Sequence, residues 1–215
     1  MLTNEFENKI STSIELRSKS FGNLEAVTIM LHGYGDSAEN FRQIGEYFSD
    51  LVPNRIILIP NAIIDLSYGY AWFHINDLSN INGPAMSDGV KKLDKIVADY
   101  IEEVCKTYNC QNIEVVGFSQ GAMLAMRTIY LSKYVKRVLA SSGIFYVSED
   151  ANILSADAKV LITHGKNDNV VPCKYCTEAY DNFKKLGMNV ELVTGDYGHT
   201  CDGLLDGITW FFGQR

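Results

Sequence analysis

Short apolar segments of β-forming composition alternate along this chain with longer amphipathic segments, and this alternation restricts the fold more than any other feature. Six of the short segments are continuously apolar, which is typical of strands buried on both faces: Val27–Leu31, Ile56–Ile59, Ile113–Val116, Val135–Ala140, Val160–Thr163 and Val190–Val193. Strands that alternate with helices favour an α/β fold with a mostly parallel central sheet and helices on both faces. Ile14–Arg17 is expected to add an antiparallel edge strand.

The amphipathic segments predict five helices. Between Val90 and Val104, apolar residues recur at the i, i+3, i+4 spacing of a single helical stripe. Asp36 and Glu39 have the spacing of a capping box that would begin a helix extending to Tyr47. The three remaining helices are predicted at Leu124–Leu131, at Cys173–Leu186 between Pro172 and Gly187, and at Asp202–Phe212.

The length of 215 residues fits a single domain, 1–215, and no linker or repeat divides the chain. One connection, residues 61–84, is long, rich in Asn, Gly and Tyr, and expected to lack regular structure. Long connections of this kind are commonly lids or binding loops, so it is a candidate substrate-pocket loop. An ordered surface excursion is the alternative.

Charge and composition exclude several classes of protein. The net charge of −7 disfavours nucleic-acid binding, because an acidic surface repels phosphate backbones. No apolar segment approaches the ~20 residues of a membrane span, and the first ten residues have no secretion signal pattern, so we expect a cytoplasmic protein without integral membrane association. Five cysteines in a chain of this length need not form a disulfide framework.

A Gly-x-Ser-x-Gly pentapeptide at residues 117–121 stands between a predicted strand and a predicted helix. In a sharp strand-to-helix turn, a serine is held in strained backbone geometry, and the residues two positions away on either side must lack a Cβ. Such a turn exposes the hydroxyl above the carboxyl edge of the sheet, where the helix N-terminus favours negative charge. The pattern predicts Ser119 as a nucleophile; a tight turn with a capping serine is the alternative.

A serine hydroxyl needs a base to become a nucleophile, and the base can only be one of four histidines. In folds that place a serine on such a turn, the acid and then the histidine follow it along the chain, which leaves His164 and His199. His164 ends the strand Val160–Thr163 and is expected to have a packed structural position. His199 lies in a glycine-containing loop after the strand Val190–Val193, and we predict it as the base.

The acid that orients this histidine should lie in the loop after the preceding strand. Asp168 is the only carboxylate in residues 164–172, and we predict that it holds the His199 tautomer. Asp196 is the competing acid, although it lies very close in sequence to His199. A turn-forming aspartate is the structural alternative for Asp168.

A tetrahedral intermediate also needs hydrogen-bond donors for its oxyanion. One is expected from the backbone N–H after the nucleophile, which is that of Gln120. The other is expected from the loop after an early strand, where the sequence 31–36 reads Leu-His-Gly-Tyr-Gly-Asp. We assign this second donor to the backbone N–H of Tyr34.

With these motifs the chain resembles the phospholipase/carboxylesterase family of α/β-hydrolases, which includes acyl-protein thioesterases and small bacterial carboxylesterases. The resemblance rests on motifs that follow one another in the family's order: Leu31–Asp36, Ala71–Phe73, Gly117–Ala122, Ser142-Gly143, His164-Gly165 with Asp168 and Val171-Pro172, and Gly198-His199. It implies an α/β-hydrolase fold, a Ser119–His199–Asp168 triad with backbone donors at Tyr34 and Gln120, and hydrolysis of esters or thioesters without a metal or organic cofactor.

The resemblance also implies that Trp72 and Phe73 are substrate-pocket residues, with Trp72 packing its own loop against the protein as the alternative. The chain departs from the family at several positions. Tyr34 stands where many members have Leu, His74 where many have Asp, and Ala122 where a second glycine is frequent. The 61–84 loop lacks the usual Arg-Met approach to the tryptophan.

Cys173 and Cys176 form a Cys-x-x-Cys motif at the start of a predicted helix, which is a place where a thiol pKa falls. The motif raises two alternatives: a dithiol redox site, or a zinc site that also uses Cys201 and His199. A structural zinc site typically uses two paired motifs, and the chain has one. Reduced cysteines without either function are the favoured interpretation.

The sequence thus predicts a serine hydrolase, and the family resemblance implies that its substrates are small-molecule or lipid esters, thioesters or lysophospholipids with uncharged acyl chains. A protein depalmitoylase, which is an acyl-protein thioesterase, is a second enzymatic reading and depends on what the 61–84 loop admits. A ligand-binding sensor on a hydrolase scaffold, acylated once and then inactive, is the alternative from another class.

Overall fold

The computed structural model describes residues 9–74, 84–145 and 152–213, with residues 84–92 described by their backbone alone. A seven-stranded sheet forms its centre, in the order β1-β3-β2-β6-β7-β8-β9. The strands are β1 (Thr12–Arg17), β2 (Ala26–Leu31), β3 (Arg55–Pro60), β6 (Ile113–Phe118), β7 (Val135–Ser141), β8 (Lys159–Gly165) and β9 (Asn189–Gly195). All neighbouring pairs are parallel except β1 and β3, so the predicted antiparallel edge strand is confirmed.

Helices cover both faces of the sheet, and each face has its own hydrophobic core. On one face, α1 (Ala38–Leu51) and α5 (Asp202–Phe212) pack on the sheet; on the other lie α2 (Pro84–Tyr108), α3 (Gln120–Leu131) and α4 (Lys174–Lys185). Every residue of β2 and β3 is buried, as expected for strands enclosed on both sides. The mostly parallel α/β architecture predicted from the sequence is therefore confirmed.

Two sequence expectations are wrong in detail. Helix α1 has no capping box from Asp36, because Ser37 is the N-cap and its Oγ accepts the backbone N–H of Asn40. Within the 61–84 connection, a two-stranded antiparallel sheet forms from β4 (Ile64–Asp65) and β5 (Tyr70–Ala71). Residues 75–83 of the predicted pocket loop lie outside the described residues. None of the helices described is both long and apolar enough to cross a bilayer.

Candidate active site

The turn between β6 and α3 holds Ser119 in the left-handed region, with φ 53° and ψ −116°. Such a backbone is costly for a residue with a side chain, and it persists only where the surroundings impose it. The flanking glycines explain why it fits. A Cβ at Gly117 would lie 2.3 Å from the Gly121 carbonyl oxygen, and one at Gly121 would lie 2.1 Å from the Leu31 carbonyl oxygen. The chain approaches itself too closely here for any other residue.

Three side chains from separate loops meet in a single chain of hydrogen bonds. The Ser119 hydroxyl lies 2.9 Å from His199 Nε2, and His199 Nδ1 lies 2.7 Å from Asp168 Oδ2. Because a carboxylate only accepts, Nδ1 carries the proton and Nε2 is free to accept the serine hydroxyl. The Asp168 side chain is fully buried and that of His199 is largely buried.

The loop after β8 fixes the orientation of the Asp168 carboxylate. Its Oδ1 accepts the backbone N–H groups of Val170 and Val171, at 2.9 and 2.8 Å. The competing acid, Asp196, instead lies 3.2 Å from the Lys166 ammonium and is 83% exposed. The structure therefore brings Asp168, and not Asp196, to the imidazole.

His164 occupies the packed position expected of it, but it also lies close to the acid. Its Nε2 donates to the Val171 carbonyl at 2.7 Å and lies 3.4 Å from Asp168 Oδ2. The side chain is fully buried, and Nδ1 has no hydrogen-bond partner among the described residues. The sequence did not indicate this second imidazole beside the Asp168 carboxylate.

The loop after β2 is tied to the small β4–β5 sheet. Gly35 N–H donates to the Tyr70 carbonyl at 2.8 Å, and Tyr70 N–H donates to the Asp36 carbonyl at 2.7 Å. A Cβ at Gly33 would lie 3.5 Å from the Ser119 Cβ, so this loop passes directly beside the serine. Across the described part of the chain, neither the Tyr34 nor the Gln120 backbone N–H donates to a protein acceptor, which leaves both available to an oxyanion.

The buried His32 side chain lies at the start of the loop after β2, and its hydrogen bonds determine which ring nitrogen carries the proton. Ala62 N–H can only donate, so His32 Nε2 accepts it at 3.1 Å. The Gly33 carbonyl can only accept, so Nδ1 donates to it at 2.7 Å. Burial lowers the pKa of the imidazole below its ordinary value of 6.5, against smaller opposing effects from the Gly33 hydrogen bond and the Asp36 charge. His32 is therefore neutral at neutral pH.

The Gln120 side chain has a role that sequence reasoning missed. Its Oε1 accepts the Trp72 backbone N–H at 2.8 Å, and its Nε2 donates to the Phe73 carbonyl at 2.6 Å. It thereby fastens the segment after β5 to the start of α3. The partners are 47 and 48 residues away along the chain, and no local pattern signals such a contact.

Trp72 and Phe73, the predicted pocket residues, are both buried, with 1% and 6% of their surfaces exposed. The Trp72 indole N–H donates to the His32 carbonyl at 2.9 Å. These contacts give Trp72 the packing role that the sequence left as the alternative. A pocket role for either residue stays a prediction.

The thiol near the candidate base is not activated. Burial, followed by the charges of Asp36 and Asp202, raises the pKa of Cys201 to about 11. A thiol of such pKa is almost wholly protonated at neutral pH and reacts slowly with alkylating agents. No group of three or more potential metal ligands occurs within residues 9–74, 84–145 and 152–213.

A model of the phospholipase/carboxylesterase family matches residues 18–204. The chain is 31% identical over 183 residues to an acyl-protein thioesterase 1 homolog of Dictyostelium discoideum, covering 79% of this chain and 80% of that protein. It is 29% identical over 174 residues to acyl-protein thioesterase 1 of Kluyveromyces lactis, covering 74% of this chain and 76% of that one.

The fold is shared with a solved esterase. The crystal structure of esterase PE8 superimposes with a TM-score of 0.81 and 28% identity, covering 94% of this chain and 97% of that one. Sequence and structure thus place the chain among enzymes that hydrolyse esters.

Proposed function

This chain belongs to the phospholipase/carboxylesterase family, and from that premise we propose that Ser119, His199 and Asp168 hydrolyse carboxylic esters or thioesters through an acyl-enzyme. The observation that carries the proposal is the hydrogen-bonded chain from Asp168 Oδ2 through the imidazole to the Ser119 hydroxyl. With Nδ1 facing the carboxylate, Nε2 faces the hydroxyl from which the first step takes a proton.

The first half of the reaction acylates the enzyme. His199 Nε2 takes the hydroxyl proton while Ser119 Oγ attacks the acyl carbonyl. Asp168, held by two backbone N–H groups, stabilises the imidazolium that forms. The N–H groups of Tyr34 and Gln120 donate to the oxyanion of the tetrahedral intermediate.

Acylation is complete when the imidazolium gives its proton to the departing alcohol or thiol. In the second half, the neutral imidazole takes a proton from water as the water oxygen attacks the acyl carbonyl, and it returns this proton to Ser119 Oγ as the acid leaves. The proposed reaction uses no metal and no organic cofactor. We also propose that residues 1–215 form one hydrolase domain. The cytoplasmic location stays a prediction.

We propose esters of uncharged acyl chains as the substrate class. The Phe118 ring lies 5.1 Å from the His199 ring, so an aromatic side chain adjoins the reacting groups. Within this class the second candidate is an acyl-protein thioesterase, because the relatives at 31% and 29% identity carry that name. A lysophospholipase belongs to the same chemistry.

The decisive experiment is steady-state hydrolysis of p-nitrophenyl esters from acetate to palmitate, with Ser119→Ala alongside. We expect many turnovers from the native chain and a loss of at least about 10³-fold in the variant, because the nucleophile is removed. The chain-length optimum measures the acyl site, and a matched acyl thioester tests the thioesterase reading. Release of one equivalent followed by arrest would instead support a sensor, and activity that survives in Ser119→Ala would overturn the proposed nucleophile.

A further inference from the structure

Two cysteine sulfurs that the proposed reaction does not use lie in contact at the start of α4. Cys173 is the N-cap residue of this helix, and Cys176 lies one turn later. Their Sγ atoms are 3.1 Å apart, and the Cys176 thiol donates to the Cys173 carbonyl at 2.8 Å. A disulfide bond is ~2.05 Å long, so the sulfurs need to approach by only about 1 Å to form one.

The two thiols differ in a way that suits sequential exchange. Cys173 is half-buried, whereas Cys176 is fully buried. Burial, together with the hydrogen bond to Cys173, raises the pKa of Cys176 to about 12. The outer sulfur is therefore the one that reacts with solution, and the inner sulfur is the one that can resolve the product.

We propose that Cys173 and Cys176 are a redox modification site that forms a reversible intrachain disulfide by exchange with a low-molecular-weight disulfide such as glutathione disulfide. The Cys173 thiolate attacks one sulfur of the oxidant, the oxidant's S–S bond breaks, and one glutathione leaves and takes up a proton. Cys176 then loses its proton to solvent and attacks Cys173 Sγ, which releases the second glutathione. Two protein thiols are oxidised, and one glutathione disulfide is reduced to two thiols.

The pair lies next to the loop that carries the proposed catalytic acid. Val171, whose backbone N–H binds Asp168 and whose carbonyl accepts from His164, lies two residues before Cys173. The disulfide would thus form at the foot of the loop that carries the proposed acid. Formation of the disulfide does not depend on the proposed ester hydrolysis, and its test uses mass rather than activity.

The sequence provides a direct assay, because Lys174 lies between the two cysteines. The reduced full-length chain is incubated with glutathione disulfide, unfolded in the presence of an alkylating agent that blocks its remaining thiols, and cleaved with trypsin. We expect peptides 167–174 and 175–184 to be recovered as one species, joined by the disulfide and two hydrogen atoms lighter than the reduced pair. Dithiothreitol should separate them. Recovery of both cysteines alkylated at every glutathione ratio would overturn the proposal.

Single variants test the order of the steps. Cys176→Ser should accumulate a glutathionyl group on Cys173, because the resolving thiol is absent. In Cys173→Ser the same group should appear on Cys176 at least about tenfold more slowly, since that thiol is buried and protonated. Equal rates, or a persistent mixed disulfide on the native chain, would contradict the assignment.

The chain contains a matched control pair. Cys105 and Cys110 are both buried near the end of α2, and burial raises the pKa of Cys105 to about 11. We expect these two thiols to remain reduced under conditions that join Cys173 to Cys176. Their oxidation at the same rate would show that the reaction is unselective and would overturn the proposal that Cys173 and Cys176 form a dedicated redox site.

Discussion

Among the side chains proposed to act in catalysis, the Asp168 carboxylate accepts the most hydrogen bonds. Oδ1 accepts two backbone N–H groups, and Oδ2 accepts from His199 with the His164 imidazole 3.4 Å away. A carboxylate held by hydrogen bonds at both oxygens is fixed in its orientation toward His199. His164 completes the arrangement by fixing the Val171 carbonyl, which belongs to the same turn. It is best understood as a positioning residue.

We expect His164→Leu to reduce kcat by up to about 100-fold with little change in KM, because a small displacement of Asp168 misorients the base but leaves substrate contacts intact. His164→Gln, which retains an N–H donor near the Nε2 position, should restore most of the rate. Steady-state kinetics of both variants provide the measurement. Equal loss in both, or a change confined to thermal stability, would mean that His164 is only a packing residue.

The Gln120 side chain gives a second expectation at this scale, one that separates its side chain from its backbone donor. Gln120→Ala keeps the Gln120 backbone N–H but leaves the Trp72 N–H and the Phe73 carbonyl without their side-chain partner. An unsatisfied buried group costs roughly 1–3 kcal/mol, so the free energy of unfolding should fall by at least that amount. Urea unfolding measures it, with the exposed Gln43→Ala as a control expected within about 0.5 kcal/mol of the native chain. A decrease in the free energy of unfolding no larger than that of the control would show that the two Gln120 side-chain hydrogen bonds do not stabilise the fold.

Among the elements, the β6–α3 turn was the most predictable, because its requirements are local. Glycines on either side of a serine, after an apolar strand, specify a turn that other residues cannot adopt. Helix α5 likewise begins and ends where its pattern predicts, and α4 ends before Gly187, whose φ is +72°. The β4–β5 sheet was not predictable. Its two-residue strands are too short for any periodicity, and its position depends on hydrogen bonds to the distant loop after β2.

The close approach at this turn predicts the outcome of Gly121→Ala. Its Cβ would lie 2.1 Å from the Leu31 carbonyl oxygen, a backbone atom that can move only with the end of β2. We expect loss of ester hydrolysis together with a lower melting temperature, because the Ser119 turn and the Tyr34 loop are displaced together. Hydrolysis rate and thermal unfolding measure the two effects.

The neighbouring Ala122→Gly is the control. Removing this buried methyl group within α3 should cost about 1–2 kcal/mol of stability and leave hydrolysis nearly unchanged. If Gly121→Ala proved as active as this control, the backbone contact would not be a constraint on the turn.

For the whole molecule, the sequence predicted the layer arrangement but not how the layers are joined near the site. Hydrophobic periodicity specifies which segments are strands and which faces are apolar, and this suffices for a parallel sheet covered on both sides. The connection between distant segments depends on buried polar groups. His32 binds Ala62 and Trp72, while Gln120 binds Trp72 and Phe73. Such contacts join residues 30 to 48 positions apart and leave no periodic signal in the sequence.

This buried network makes the stability of the whole fold depend on pH. His32 is uncharged in the folded state because burial lowers its pKa below 6.5, whereas the unfolded chain exposes an imidazole of ordinary pKa. As the pH falls through 6.5, the unfolded state therefore binds a proton that the folded state does not. The folded state consequently loses stability, and the loss continues until the pH reaches the lowered pKa of the folded imidazole. Protonation would also place a hydrogen on Nε2, which accepts the Ala62 N–H.

We therefore expect His32 alone to decrease the free energy of unfolding by up to about 1.4 kcal/mol for each pH unit below 6.5. Urea unfolding between pH 8 and pH 5 provides the measurement. His32→Gln, which keeps a hydrogen-bonding side chain but does not titrate, should have lower stability at pH 8 and a shallower slope below 6.5. A slope equal to that of the native chain would show that other groups carry the acid sensitivity, and stability that rose on acidification would contradict a neutral His32 in the fold.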